Sequence, residues 1–382
     1  MANHEGMLAS AKYIAETVLA PSARQNDREG RFSIEAISAL GEAGLLGLTL
    51  PEEVGGCGLG LHSFSGVMAA IAEADASVAM VYLMHTLAAS TIVAAPRSDL
   101  FSGILRDIAA GRHLSTLAFS EAGSRSHFWA PVSRARTNGA GIRLSAKKSW
   151  VTSAGHARSY VVSALSPHGS GPTNTTLYLV PNEVAGLSIA GRWDGLGLRA
   201  NASAPMVLDD CHLGSELRLT EDGAGFQAMM NVVLPQFNLG STCVALGLCR
   251  AAIKETTAHL KAGRFEHLGQ SLGEALPTLR ALLATMVIET DGLSARVDDL
   301  VDHLERPRDT TMLRVLESKA AAGETAISVT SAAMRAAGGA AFSKHLSIER
   351  FFRDAQAGAI MAPTSDVLRE FIGRATLGME LF

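Results

Sequence analysis

Cysteine is scarce and unpatterned. Cys57, Cys211, Cys243 and Cys249 are the only four in 382 residues, and none are spaced as a metal knuckle or as a recognisable disulfide framework. They read as reduced, buried thiols of a cytoplasmic protein. An excess of one charge is also missing. The formal net charge is -4 and no long basic run occurs, which argues against nucleic acid or a membrane surface as the main partner. The N-terminal MANHEGMLASAKYIAE has polar residues inside its apolar pattern and lacks a signal-peptide core. No apolar stretch is read as reaching transmembrane length, and neither an internal repeat nor a low-complexity segment is present. What remains is an ordinary globular composition, 47% hydrophobic and 18% charged, in a chain long enough for two or three domains and a large core.

Helical periodicity dominates the first third. Met7, Ala11, Ile14, Ala15 and Val18 share one face. Ser33 is placed to cap a second helix carrying Ile34, Ile37, Leu40 and Leu45. The glycine-rich loop LPEEVGGCGLG, residues 50–60, follows, and residues 63–93 and 97–110 return to helical patterning. Between about 114 and 215 the texture becomes short alternating runs: HLSTLAFS, APVSRART, GIRLSAKKSWVTS, SYVVSALS, TLYLVP and PMVLDD. Asn138-Gly139 is a hairpin signal between two of them. This predicts an antiparallel β domain. From about Glu221 onward the chain is helical again, over Phe226–Gly263, Ala275–Leu304 and Met312–Ala337, with Gly338 and Gly339 closing the last. In the middle one, Leu279, Leu282, Met286, Leu293, Val297, Leu300 and Leu304 form one stripe. The expected domains are 1–113, 114–218 and 219–382. Two glycine clusters, GLGLRA at Gly195 and GGCGLG at Gly55, lack the strand-turn-helix setting of a dinucleotide fingerprint and read as tight turns. Asp298, Asp299, Asp302, His303 and Glu305 read as a solvated acidic helix end, with no metal site expected.

Two stretches of the β region stand out. Leu117 to Ser124 reads LAFSEAGS, and Lys148 to Ser153 reads KSWVTS. A third, RFFRDAQAGAIMAPTSDVLREF, spans Arg350 to Phe371. Together they resemble the flavin loop, the lysine-x-tryptophan strand and the arginine-aspartate-alanine signature of the acyl-CoA dehydrogenase family. LPEEVGGCGLG and WDGLGLRANASAPMVLDDCHL, with Arg199, resemble further segments of that family in the same order. The resemblance implies an N-terminal all-α domain, a middle antiparallel β-barrel-like domain and a C-terminal four-helix bundle. It implies FAD as cofactor, an acyl thioester carried on CoA or a carrier protein as substrate, and a homotetramer or homodimer whose neighbouring subunit completes the site. The electron acceptor is left open. It places Phe119, Ser120 and Ser124 in the flavin loop, Trp150 against the isoalloxazine ring, and Thr152 with Ser153 beside it. Gly338 and Gly339, with Phe342 nearby, would face the partner subunit's FAD, and Thr364 and Ser365 would contact the cofactor. Arg264 corresponds either to the family's pyrophosphate-binding arginine or to a solvated helix-end residue. Two departures occur in the flavin loop, which is two residues short and carries Arg125 in place of an aspartate.

A third departure concerns the chemistry. The family's catalytic glutamate corresponds to Ala362, within the turn Ala362-Pro363-Thr364. The alternative position used by some relatives falls near Gln236, between Pro235 and Phe237. Neither alanine nor glutamine removes an α-proton as a carboxylate does. Three explanations are open at this point: a relocated base (Asp366, Glu370 or Glu121), oxygen chemistry of a monooxygenase or hydroxylase with His127 of SRSHFW as a proton donor, or a non-catalytic subunit of a mixed oligomer.

Overall fold

A computed structural model describes residues 3–125, 127–139 and 141–381. Helices α1 (His4–Ile14) and α2 (Ala20–Glu29) are joined by a π-helical turn over Ala15–Leu19, and α3 (Ile34–Glu42) follows. Ser33 does cap α3, accepting the Ala36 N–H. The stretch 63–93, read as helical without a break being placed in it, is two helices: α4 (Leu61–Ala74) and α5 (Ala76–Val93). Asp75 between them is extended, and its carboxylate accepts the N–H groups of Ser77 and Val78. One residue thus ends α4 and caps α5. A 3-10 turn (Ser98–Phe101) leads into α6 (Ser102–Ala109).

The strands are β1 (Ser115–Ala118), β2 (Arg136–Asn138), β3 (Gly141–Val151), β4 (Ser159–Leu165), β5 (Thr175–Pro181), β6 (Leu187–Ile189) and β7 (Ala204–Gly214). They form two sheets, β1-β4-β5 and β2-β3-β7-β6. The expectation of a wholly antiparallel domain needs one correction: β1 pairs with β4 in parallel. The chain leaves the first sheet for the β2–β3 hairpin and re-enters it alongside β1, which a parallel pair requires. At the hairpin, Asn138 pairs with Gly141 and Gly139 has φ +59, the left-handed conformation its turn demands.

The C-terminal part begins with α7 (Gly225–Ala228), a π turn (Met229–Val233) and α8 (Leu234–Ala262). A small hairpin of β8 (Arg264–Phe265) and β9 (Gln270–Ser271) and the short α9 (Leu272–Ala275) precede α10 (Pro277–Glu305) and α11 (Thr311–Ala337). Then come α12 (Gly339–Phe342), α13 (Ile348–Ile360) and α14 (Ser365–Thr376). Helices α8, α10, α11 and α13 pack on one another as the bundle. Met286, Leu293, Val297 and Leu300 of the expected stripe are buried in it, with Leu279, Leu282 and Leu304 at its margins. One hydrophobic core runs through both helical regions, while the strands enclose a separate one around Tyr160, Tyr178 and Met206. The sequence reading that nothing reaches transmembrane length is also corrected. The helices over Ala76–Val93 and Gly225–Ala262 are long and apolar enough to cross a membrane, and 83% of each such window is buried inside the protein. Their apolar surface is consumed by the core.

Candidate active site

The LAFSEAGS and KSWVTS segments are stitched together by main chain. Glu121 and Lys148 form an antiparallel bridge, and the Ser149 N–H donates to the Ser120 carbonyl at 2.8 Å. Beneath this stitch Lys148 Nζ donates to Glu121 Oε1 at 2.6 Å and to the Ser163 carbonyl at 2.6 Å, and both side chains are almost fully buried. The second carboxylate oxygen, Oε2, accepts the Val132 and Ser133 N–H groups at 2.9 and 2.8 Å. A buried pair persists only when its remaining valences are satisfied in this way. Sequence reasoning quoted Lys148 as part of a motif and missed its role. The signal was a lysine at an inward position of an alternating strand, between buried Ala146 and Val151.

Just past this anchor, β3 slips register against β7 between Lys148 and Val151, and Trp150 takes φ +53. Such a bulge re-aims a side chain. The indole, which a regular strand would carry into or out of the sheet with its neighbours, is 63% exposed. It is a flat apolar wall with no protein against most of it. Thr152 and Ser153 follow, both buried. Thr152 Oγ1 lies 3.1 Å from Ser203 Oγ, and Ser153, at φ +60, donates its N–H to the Asn201 carbonyl. Ser153 Oγ is buried without a partner among the described residues, and so is Ser365 Oγ at the start of α14. Buried hydroxyls are normally satisfied, so two orphans at positions expected to face a polar ligand fit a cofactor with hydrogen-bonding edges.

The signature helix α13 is fixed by its charges. Arg353 makes a two-pronged contact with Asp27 of α2, at 3.0 and 2.6 Å, and also holds Glu349. Asp354 accepts the Leu198 N–H at 2.6 Å. Burial pushes the Asp354 carboxyl up to about 7 despite nearby Arg350. Arg199 in turn donates to the Asp27 carbonyl. This knot joins the first helices, the segment closing the β domain and α13, so it sets where the turn after α13 stands. There Ala362 is half-buried, and Thr364 caps α14 by accepting the Val367 N–H.

The sequence matches descriptions of one family in three consecutive blocks: acyl-CoA dehydrogenase N-terminal domain over residues 1–112, middle domain over 116–211 and C-terminal domain over 223–377. The chain belongs to the acyl-CoA dehydrogenase family. It is 28% identical, over 96% of its own length and 88% of the relative's, to the mitochondrial short-chain specific acyl-CoA dehydrogenase of Bos taurus. It is 26% identical over 98% of its length, and 95% of the other chain, to a Mycobacterium leprae protein named probable acyl-CoA dehydrogenase fadE25. Among solved structures, butyryl-CoA dehydrogenase from Megasphaera elsdenii superposes with a TM-score of 0.92 at 23% identity, covering 99% of each chain. PigA with FAD and proline superposes at 0.90 with 18% identity, over 99% of this chain and 98% of that one. At these identities the structural likeness speaks for the fold.

Within this acyl-CoA dehydrogenase frame, one of the carboxylates weighed as relocated bases is held in the core and two stand in solvent. Glu121 is saturated by Lys148 and the 132–133 backbone. Asp366 has a 94% exposed side chain and pairs with Arg369, and Glu370 is 68% exposed beside Arg374. Gln236 is buried in the first turn of α8. Arg264 is exposed in the β8–β9 hairpin and donates to the Gly269 carbonyl. Gly338 (φ +53) and Gly339 have open space where a side chain would stand, and Phe342 is 83% exposed. Among the described residues no group of three His, Cys, Asp or Glu side chains is arranged to hold a metal.

The shortened loop carries an aromatic ladder that sequence reading did not foresee. Phe119 stacks on Phe128 at 6.3 Å, Phe128 meets Trp129 edge-on at 5.3 Å, and Trp129 touches Phe371 of α14 at 5.8 Å. Ser124 lies at the loop's turn, exchanging hydrogen bonds with Glu121. His127 is exposed and stacks on Trp129 at 4.9 Å; Ser126 beside it lies outside the described residues. Behind Trp129 is an apolar cavity of about 90 Å³ lined by Met230, Leu234, Met312, Leu316, Pro363, Phe371 and Leu381. The ladder therefore links residues 119–129 to α14.

Proposed function

We propose that the protein is an FAD-dependent oxidoreductase acting on an acyl thioester, carried on CoA or a carrier protein, without the usual proton-abstracting carboxylate. The observation that carries the cofactor assignment is Trp150, bulged out of β3 and exposed next to a main-chain stitch that brings Ser120 alongside it. FAD supplies the redox chemistry that no protein side chain offers. Trp150 gives its ring system a flat wall, Ser153 and Ser365 offer unpartnered hydroxyls to its polar edges, and Ser120, Thr152 and Thr364 complete the polar lining. Phe119 and Ser124 shape the loop above. Gly338 and Gly339, with open space beside them, and the exposed Arg264 suit the FAD of a neighbouring copy in a homodimer or homotetramer. The apolar cavity beside Pro363 suits an acyl tail better than a phosphate, because nothing charged lines it.

A second reading has a specific observation in its favour. With Ala362 at the usual base position, Glu121 held by Lys148 and the 132–133 backbone, and Asp366 and Glu370 solvent-exposed on α14, a monooxygenase, which needs no α-proton base, fits the same lining, with His127 as the proton donor. Anaerobic mixing with short- to long-chain acyl-CoA and carrier-protein thioesters separates the two. Bleaching of the yellow absorbance supports dehydrogenation. Unchanged absorbance with every thioester, together with oxygen consumption by the chemically reduced protein and formation of a hydroxylated product, selects the second. A protein that stays colourless after incubation with FAD defeats both and leaves the reading of a non-catalytic subunit.

A further inference from the structure

The turn that carries Ala362 rests on a buried lysine. Lys319 of α11 is 1% exposed, and its Nζ donates to three main-chain carbonyls: Gly358 at 3.2 Å, Met361 at 3.0 Å and Pro363 at 2.8 Å. No carboxylate pairs with it among the described residues, and the ammonium stands 5.9 Å from the centroid of the Phe237 ring of α8. A bare ammonium in a core is costly. Burial pulls its pKa down to about 7. Three carbonyl dipoles, one of them in the last turn of α13 where the helix dipole is negative, are what such a cation requires in place of a counter-ion.

Helix packing explains how one amine reaches both sides of the turn. One helical turn beyond Lys319, Gly323 faces Gly358. A Cβ on Gly323 would lie 3.2 Å from the Gly358 carbonyl carbon and from Ala359 N, so α11 and α13 approach through backbone alone. That approach brings the end of α13 over Lys319. The carbonyls it gathers flank position 362 on both sides, at 361 and 363, and the next two residues are Thr364 and Ser365 of the cofactor lining.

We infer that Lys319 is the positioning residue of this site: it tethers the 358–363 turn so that residues 362 to 365 face the cofactor in one fixed arrangement. This holds for dehydrogenation and for oxygen chemistry alike, since it concerns the lining and not the reaction. The alternative role, generic core stability, makes a different prediction.

The test compares Lys319→Met, Lys319→Arg and Lys319→Gln with Leu300→Ala, which truncates a fully buried core residue of α10 remote in sequence from the turn. FAD affinity of the apoprotein is measured by fluorescence titration, and amide exchange of residues 358–367 by mass spectrometry, both well below each variant's unfolding temperature. Lys319→Met is expected to weaken FAD binding by about tenfold or more, near 1.4 kcal/mol, and to speed exchange in 358–367 selectively. Lys319→Arg, which keeps charge and donors, should restore most of the affinity. Leu300→Ala should lose stability while binding FAD as the unmodified protein does. If Lys319→Met fails to fold, Lys319→Gln, with two donors and no charge, decides by the same two readouts. Unchanged FAD affinity with unchanged exchange in the folded lysine variant overturns the inference, as does a loss in Leu300→Ala equal to that in Lys319→Met.

Discussion

At the scale of single residues, the chemistry turns on what Ala362 lacks and on what Glu121 and Lys148 hold. Ala362 occupies a turn whose neighbours, Thr364 and Ser365, keep their polar groups. Replacing it with glutamate should therefore install a base in a lining that otherwise suits the family reaction. Ala362→Glu is expected to raise acyl-CoA dehydrogenation, followed with an artificial electron acceptor, by about 10²–10⁴-fold, the range a positioned base contributes. No gain with any chain length would show that the surrounding geometry, and not the missing carboxylate alone, has left that chemistry. The Glu121–Lys148 pair makes a different claim. Both groups are buried and neither has another charged partner among the described residues. Lys148→Met strands a carboxylate in the core and should cost about 3–5 kcal/mol, read from urea denaturation. Since the pair sits directly under the Ser120–Ser149 stitch, the same variant should also release FAD.

At the scale of elements, the site depends on how α13 is clasped against the segment that closes the β domain. Gly197 lies under α13 so closely that a Cβ there would stand 2.4 Å from the Arg353 carbonyl oxygen and 2.6 Å from its carbon. Backbone cannot yield as a flexible side chain does. Gly197→Ala should destabilise by about 1–3 kcal/mol, as overpacking does, and should lower FAD affinity, because displacing α13 moves the turn at 362. Normal thermal stability together with normal FAD affinity in that variant would contradict the clasp. Much at this scale was legible beforehand. The stripe on α10 and the Ser33 cap follow from side-chain spacing and hydrogen-bonding chemistry, which are local. The break at Asp75 was missed because α4 and α5 are apolar on nearly every side, so periodicity has no polar face to interrupt. The parallel β1–β4 pair was missed for another reason: alternation reports which face is buried but not which strand lies alongside. The bulge at Trp150 is likewise set by pairing with β7 and not by β3 alone.

At the scale of the whole molecule, the seam between the first helices and the β domain is built on uncharged histidines, and this makes folding sensitive to acid. His85 of α5 is fully buried. The Ser115 N–H of β1 donates to its Nδ1 at 3.1 Å, and its Nε2 stands 3.2 Å from the Leu46 carbonyl, which takes the remaining ring proton. That arrangement admits one neutral tautomer and leaves no room for a second proton. Burial lowers its pKa to about 4, and His113, 2.7 Å from Ser159 Oγ across the same seam, is pushed to about 4 mainly for the same reason. An unfolded histidine titrates near 6.5, so between about pH 6.5 and 4 the unfolded chain binds protons that the folded one refuses. The stabilising contribution of His85 is thus fully present above about pH 6.5 and is lost as pH falls toward 4, with a ceiling of about 3 kcal/mol. Asp354 pulls the opposite way. Its carboxyl is raised to about 7 from 3.8, so the folded state binds the extra proton over much of that window and gains as pH falls. The total stability curve is therefore shallower than the two histidines alone would make it, and the informative quantity is a difference. His85→Gln retains a donor and an acceptor but does not titrate. Its destabilisation relative to the unmodified protein, from urea midpoints, should be largest at pH 7 and shrink steadily toward pH 4.5. A destabilisation that is constant with pH would mean that His85 acts through packing alone, and that protonation at this seam is not what acid exploits.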